Sequence, residues 1–410
     1  FVAKLSEDAM TALSLVYPAQ NLLTAVAVGF GVGVNAMISF YLGAQNQGKA
    51  DKTATQGMVL GVLHGVLLMV LFLCGMNLFL GMFTKSDTVR ALGMEYSNVV
   101  FLFSAIVTGG ITLEKIFQAV GRMRATMVSM IAGFVTNIVL DPLLIFGIGP
   151  FPRLEVTGAA IATVSSQILV FLILVLRIRC SRLESNILQH LHLLSRFSKE
   201  YYEPIFRIGF PTAIQSSIYC MISMILTRMV SSYGAAAIAV QRVGGQIESV
   251  SWNTADGFAS ALNAFTAQNY GAKKHDRIRH GYNISFGILA IWGLIITASF
   301  VLLPKPIAGL FFHDNESLSI AVNYLVIIGF SEAFMAIELM TIGALSGLGM
   351  TKLCSVISII LTGSRIPLAM LLSHAGMGLD GIWWALSLTS IVKGIIFTLT
   401  FRQTSRTKLN

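Results

Sequence analysis

The sequence predicts an all-α membrane protein that crosses the bilayer many times, and three observations predict it. The chain of 410 residues is 55% hydrophobic and only 11% charged, less than half the roughly 25% charge of a soluble domain. Residues 9–48 and 53–84 contain no Asp, Glu, Lys or Arg. Such runs are continuous rather than alternating, which fits spanning helices and not a β-barrel. Finally, the chain repeats itself. Adding 228 to a residue number carries Val2 to Val230, Ala9 to Ala237, Gly29 to Gly257, Ala36 to Ala264, Phe72 to Phe300, Tyr96 to Tyr324 and Gly121 to Gly349. One offset held without a gap marks a duplication. A soluble enzyme is excluded, and the net charge of +9 is placed for a membrane surface rather than for nucleic acid.

Taken in order, eleven apolar stretches read as spans: 14–40, 56–80, 91–117, 126–148, 157–176, 205–228, 236–267, 281–303, 318–346, 353–373 and 381–401. The connections alternate in charge. One set holds Lys49, Lys52, Arg122, Arg124, the basic stretch from Arg177 to Arg207, Lys273, Lys274, Arg277, Arg279, Lys352, Arg402, Arg406 and Lys408; the other holds fewer cations. The positive-inside rule puts the first set, with the C-terminus, in the cytoplasm. Residues 1–176 then form an N-terminal lobe, 177–203 a cytoplasmic linker, and 204–410 a C-terminal lobe of six helices. Met229, the repeat partner of Phe1, follows a whole span at 205–228. The duplication therefore expects a first helix before Phe1, so that the N-terminal lobe holds five of six. Six spans per repeat is an even number, which expects parallel repeats. Gly57, Gly61 and Gly65, and Gly29 with Gly33, are spaced for close helix packing.

The stretch from Gly121 to Pro142 carries the strongest chemical signal. No charge lies between Arg124 and Asp141, which puts the carboxylate about 25 Å from the arginines along a helix, inside a bilayer about 30 Å thick. Ser129, Gly133, Asn137 and Asp141 are four apart and share one face. Pro142 has no N–H, so the carbonyl of Ile138 is left open. An acid, an amide and a spare carbonyl can hold Na+ or a proton, and an acid at this depth is costly unless it serves a function. A capping Asp at a loop edge is the alternative.

Other motifs carry less. Gly43-Ala-Gln-Asn-Gln-Gly48-Lys49-Ala50 falls short of a P-loop, because Ala50 cannot hold magnesium and an apolar helix precedes it. Cys74, Cys180, Cys220 and Cys354 form neither a disulfide framework nor a zinc spacing. His64 stands alone in an apolar span and reads as a packed side chain.

The residues resemble the MATE (multidrug and toxic compound extrusion) transporters. Phe1-Val2 with Leu5 and Ala9 looks like the end of that family's first helix and the start of its second. Leu42-Gly43-Ala44 and its repeat Tyr270-Gly271-Ala272 look like the loop motif of each half. Asn137 to Pro142 resembles the fifth-helix motif, and Gly158 to Thr163 the start of the sixth. Gly347 to Thr351, Arg365-Ile-Pro367, Gly381 to Trp384 and Lys393-Gly394 resemble one bacterial branch. The resemblance implies a V-shaped pair of six-helix lobes, alternating access, and export driven by Na+ or H+. It implies a coupling site of Asn137, Asp141 and Thr163, completed in the family by an Asp of the first helix.

The C-terminal half is not an electrostatic copy. Arg365 falls on Asn137, and no acid falls on Asp141. Its span charges are Glu248, Asp256, Glu332, Glu338, Arg365 and Lys393. Counted from the helix ends, Glu332 and Arg365 lie about 20 Å deep, and Glu338 and Lys393 about 12 Å deep. These depths suggest two ion pairs, which either neutralise one another or form a second coupling or substrate site. The expected function is a cation-coupled multidrug antiporter of a bacterial inner membrane. It would act as a monomer on small organic cations, without a cofactor beyond the coupling ion and without nucleic acid. The rivals are a lipid-linked saccharide flippase of the same superfamily and a membrane-embedded transferase.

Overall fold

The structure, a computed structural model, describes Val2, residues 5–180 and residues 198–409. Fifteen helices account for nearly all of them: α1 (Glu7–Gly43), α2 (Gln47–Phe83), α3 (Asp87–Leu102), α4 (Ser104–Ala119), α5 (Met123–Phe146), α6 (Glu155–Cys180), α7 (Lys199–Ser231), α8 (Ala235–Gly271), α9 (His275–Leu302), α10 (Pro304–Gly309), α11 (Asn315–Gly329), α12 (Glu332–Gly347), α13 (Thr351–Gly363), α14 (Arg365–Leu372) and α15 (Gly378–Lys408). Among the described residues there is no strand. Several helices begin where a short polar side chain accepts from an orphan N–H of the first turn. The Ser6 hydroxyl accepts from Ala9 N at 3.0 Å, and Asn46 Oδ1 accepts from Lys49 N at 3.1 Å. The Asp314 carboxylate accepts from Ser317 N at 2.7 Å, and its bonds to Ser317 hold that carboxyl below its usual range.

The chain divides into two compact units, Phe1–Ser216 and Ser217–Asn410. The division falls inside α7. The expected linker at 177–203 covers the end of α6, residues 181–197, which lie outside the described residues, and the first turns of α7.

The duplication is visible helix by helix. Moved by 228, α1 falls on α8 and α4 falls on α12 with both ends matching. The α3–α4 pair bends by 49° at Phe103, and the α11–α12 pair bends by 49° around Phe330–Ser331. At each break a serine hydroxyl returns to a carbonyl three residues back, Ser104 to Phe101 at 2.7 Å and Ser331 to Ile328 at 2.9 Å. That satisfies a backbone group which lipid could not. Two non-glycine residues with positive φ, Gln45 and Lys273 (both 57°), occupy the same repeat position, as do Gly121 (77°) and Gly349 (73°). The copies also diverge. Where α2 runs on to Phe83, Pro304 ends its counterpart after Leu302 and opens the short α10. Where α5 is continuous, its counterpart breaks at Ser364 into α13 and α14.

Seven helices are long and apolar enough to cross a membrane, or nine spans if each bent pair counts as one. One of these, Thr351–Lys408, reverses at 373–378, where Gly376 and Gly378 take positive φ (99° and 54°), and so supplies two spans. The 37-residue α8 is about 55 Å long, but Ser249, Ser251, Asn253, Asp256 and Asn263 make it more polar than those spans. With it, the eleven stretches read from the sequence all become helical spans. Large apolar side chains such as Leu67, Leu71, Leu78, Phe134 and Ile138 are exposed, as a lipid-facing surface requires.

Glycine sets how closely these helices approach. A Cβ on Gly29 would lie 2.5 Å from Ala213 N, and one on Gly33 2.5 Å from Ile205 O, so α1 and the first half of α7 touch backbone to backbone. A Cβ on Gly347 would lie 2.5 Å from Asn263 O, joining α12 to α8 in the same way. Gly33→Val and Gly347→Val should therefore each reduce folded protein strongly, by an overpacking cost of about 1–3 kcal/mol. Gly287→Val, in open space, should be tolerated. Yield of monodisperse protein by fluorescence-detected gel filtration measures the contrast.

Candidate ion-coupling sites

In the N-terminal unit, α5 lays Ser129 and Gly133 against α6: Ser129 is fully buried, and a Cβ on Gly133 would meet Val170. Asn137 and Asp141 continue that face and are half-buried. The helix runs through Pro142 without interruption, and the missing N–H leaves the Ile138 carbonyl without its usual donor. Asp141 makes no hydrogen bond or ion pair with the described residues. Within its electrostatic range lies the phenol of Tyr96 on α3, which is also flanked by Thr163 of α6 and accepts from Gln20 Nε2 of α1 at 3.4 Å. Thr163 Oγ1 donates to Ala159 O at 3.0 Å, so its lone pairs remain available. The structure thus gathers Asp141 and Thr163 around Tyr96, with Asn137 one turn away along α5. Carboxylate, amide, hydroxyl and carbonyl oxygens are hard donors, the kind that Na+ or a proton takes.

The C-terminal unit places a similar arrangement at the same repeat positions. Tyr324 of α11, the counterpart of Tyr96, donates its hydroxyl to Glu248 of α8, the counterpart of Gln20. Trp383 closes edge-on against Tyr324, with ring centroids 5.0 Å apart. Glu332 is the first residue of α12, just past the bend; it is 1% exposed, and its Oε2 has no partner. Ser251 Oγ, also 1% exposed, is the hydroxyl beside Glu332. Glu332 lies within electrostatic range of Glu248.

Of the two ion pairs expected from depth, one forms. Lys393 Nζ donates to Glu338 Oε1 at 2.8 Å, with both side chains buried. The pair of Glu332 with Arg365 does not form. Arg365, 6% exposed, donates instead to Thr389 Oγ1 and Ser390 Oγ of α15, each at 2.9 Å, and its guanidinium carbon lies 6.0 Å from the Tyr219 ring. Depth along a helix fixes height but not direction around the axis, and Arg365 points at α15. Asp256 is exposed.

Two features lie outside the sequence reading. The bond of Gln20 with Tyr96, and Tyr324 as the partner of Glu248, are legible only through the repeat, in which Tyr96 falls on Tyr324. The other is Glu114 and Lys115, adjacent charges inside the span 91–117. In the structure Lys115 Nζ donates to Gln118 Oε1 at 3.1 Å, and Gln118 Nε2 donates to Glu114 Oε1 at 2.7 Å, largely buried on α4. His64 is packed as expected, its Nδ1 2.6 Å from Leu60 O and its ring 5.1 Å from that of Phe30.

A family model described as MatE matches residues 1–143 and 211–371. The chain is 25% identical to the FAD transporter of Shewanella oneidensis, over 96% of this chain and 87% of that protein. It is 27% identical to the probable multidrug resistance protein NorM of Thermotoga maritima, over 98% and 85%. It is 24% identical to the multidrug export protein MepA of Staphylococcus aureus, over 94% and 84%. In fold it matches an outward-facing multidrug resistance MATE transporter of the MOP superfamily with a TM-score of 0.90 at 22% identity, over 99% of this chain and 90% of that one. A MOP superfamily transporter from Pyrococcus furiosus matches with a TM-score of 0.89 at 22% identity, over the same shares.

The buried pair gives a direct test. Lys393→Met leaves the Glu338 carboxylate buried without its partner and should cost about 3–5 kcal/mol, whereas removing both charges is far milder. Lys393→Met should therefore lose most folded protein, and Glu338→Gln with Lys393→Met should recover it. The measurement is the yield of folded protein across the four variants.

Proposed function

The chain belongs to the MatE family, and from that premise we propose that it is a secondary active exporter, coupling inward movement of Na+ or H+ to efflux of small organic cations. It is a multi-pass membrane transporter of small organic substrates and not an enzyme. Asp141 carries the proposed coupling: it is an acid at bilayer depth, half-buried, within electrostatic range of Tyr96, and without a hydrogen bond or ion pair from the described residues. Dehydration disfavours a bare carboxylate, so the site favours a bound cation or proton over vacancy. Asn137, Thr163 and the Ile138 carbonyl are the neutral oxygens available to the ion. A transporter of this kind cycles only if its ion binds the two conformations with different affinity. A carboxylate held by no fixed partner is free to make that difference.

The substrate class rests on the balance of buried charge. Inside the C-terminal unit Glu248, Glu332 and Glu338 outnumber Arg365 and Lys393, which favours a cationic guest. The proposed setting is a bacterial inner membrane, with the protein a monomer and its C-terminus in the cytoplasm. Arg402, Arg406 and Lys408, exposed at the end of α15, support that orientation.

In inside-out vesicles holding matched protein, Asp141→Asn should insert normally and still bind substrate. Its ion-driven transport of a fluorescent organic cation should fall to background. Asn137→Ala, which removes one neutral ligand, should weaken the ion dependence only several-fold. Full transport by Asp141→Asn would place the coupling elsewhere. Transport of FAD, the cargo named for one relative, with none of any organic cation would overturn the substrate class.

A further inference from the structure

In the C-terminal unit α12 lies along α8 in one register. A Cβ on Gly343 would strike the backbone of Ala259, and one on Gly347 the carbonyl of Asn263. Subtracting 84 carries Gly343 to Ala259, Gly347 to Asn263 and Glu332 to Glu248. The two helices therefore run side by side in the same direction. Glu332 precedes Gly343 by eleven residues, and Glu248 precedes Ala259 by the same eleven. Eleven residues make about three turns, so each acid lies on the contact face of its own helix. Ala336 and Ala255, on the same two faces, are fully buried. Gly244, one turn before Glu248, takes the ring of Tyr324, whose hydroxyl donates to Glu248. In the N-terminal unit the same offset of 84 puts Lys115 against Gly31, where a Cβ would lie 2.8 Å from Lys115 Cγ. There the positions of the two acids are held by Ser104 and Gln20, both neutral. Two neutral residues have become two carboxyls at one height on adjoining helices.

Glu332 opens α12 just past the bend, is 1% exposed and leaves its Oε2 bonded to nothing. Among the described residues no cation meets it. Lys393 is bonded to Glu338, and Arg365 to Thr389 and Ser390. The helix α9 touches α12 at Ala333, opposite Gly293, and carries no titratable residue from 283 to 302. The helix α15 touches α12 at Phe334, opposite Gly394, and the charge beside that contact is Lys393. What faces Glu332 is Glu248 of α8, the hydroxyl of Ser251 and the phenol of Tyr324. Two carboxyls side by side in a dry interior cannot both be ionised. The N–H groups at the start of α12 favour a carboxylate, but far less than burial of an unpaired ion opposes it. Glu248 accepts the Tyr324 hydroxyl and has Arg365 within electrostatic range, and both stabilise a charge there. The neutral member is therefore Glu332. An organic cation cannot reach a group so closed off, whereas a proton takes no room.

We propose that Glu248 and Glu332 form a proton site in the C-terminal unit, two carboxyls holding one proton, with that proton on Glu332. It leaves Glu248 and Glu338 to balance Arg365 and Lys393, and so neutralises the one acid in excess while no cationic guest is bound. The site rests neither on the coupling role of Asp141 nor on the substrate class. It has a consequence for stability. At neutral pH an exposed carboxyl of the unfolded chain is ionised, while the folded chain keeps its proton on Glu332. The folded state then binds more protons, and its stability falls as pH rises, until Glu332 releases the proton. Glu332→Gln keeps the shape of the protonated acid and has no charge to gain.

The test is thermal melting of the purified full chain across pH 5–9, with and without Na+, for the wild type, Glu332→Gln and Glu248→Gln. Glu332→Gln should melt close to the wild type at pH 5 and several degrees above it at pH 9. In Glu248→Gln the fall with pH should end at a lower pH, because the neighbouring negative charge that keeps the proton on Glu332 is gone. A second measurement reads the proton directly. In an Asp141→Asn background, the infrared carbonyl stretch of a protonated carboxyl at pH 7 should be present and should be lost on adding Glu332→Gln. The proposal is overturned by a Glu332→Gln chain that follows the wild type at every pH, melts well below it at pH 9 or yields no folded protein. An unchanged infrared band overturns it too, and a Glu248→Gln profile identical to the wild type overturns the pairing. Na+ that raises the melting temperature of the wild type at pH 9, but not that of Glu332→Gln, would assign the site to a metal cation instead. None of these readouts depends on efflux or on an intact Asp141, so their failure is distinct from a failure of the coupling reading.

Discussion

Hydrocarbon cannot solvate a charge, and the interior of this protein is arranged around that constraint. Every charged side chain at depth is paired, hydrogen-bonded or set beside a group that can compensate it. Glu338 and Lys393 balance each other within one bond. Arg365 is held by Thr389 and Ser390, whose hydroxyls orient it without neutralising it. Lys115 and Glu114 are bridged through Gln118. Among the described residues two acids are exceptions: Asp141 has neither a hydrogen bond nor an ion pair, and Glu332 leaves its Oε2 without a partner. The proposed coupling role gives the first of these acids its reason to stand unpaired.

The same constraint shapes the backbone. A helix may break inside a membrane only where the freed carbonyls and N–H groups find protein partners. Both bent spans meet that condition with a serine directly at the break. The bend in turn presents Glu332 at the first turn of α12, where the exposed N–H groups favour a carboxylate. Glycines at Gly29, Gly33 and Gly347 then bring neighbouring backbones into contact, which holds each unit together without a hydrophobic force to drive helix on helix.

Much of this was legible in the sequence because it is periodic. The offset of 228 tells which helices match, and spacing by four puts Ser129, Gly133, Asn137 and Asp141 on one face. What stayed hidden was azimuthal. Counting residues gave Arg365 and Glu332 the same depth, but only packing shows that Arg365 turns toward α15. The first bend was hidden for a related reason: no proline or glycine stands at Phe103 or beside it, whereas Gly329 does mark the second. Lys115 escaped notice because a single lysine inside an apolar run looks like a span edge until Gln118 and Glu114 are seen to hold it.

Duplication explains why the two halves share a frame, but not why their charges differ. The C-terminal unit carries Glu248 at the repeat position of Gln20 and Arg365 at that of Asn137, an acid and a base where the N-terminal unit has two neutral amides. The N-terminal unit places its acid at Asp141 instead, four residues past Asn137 and beside the carbonyl freed by Pro142, with no base at the position of Arg365. A transporter needs only one element whose affinity for the ion changes between conformations. On the proposed reading Asp141 is that element, and the bonded pair of Glu338 with Lys393 holds the duplicated frame without taking part.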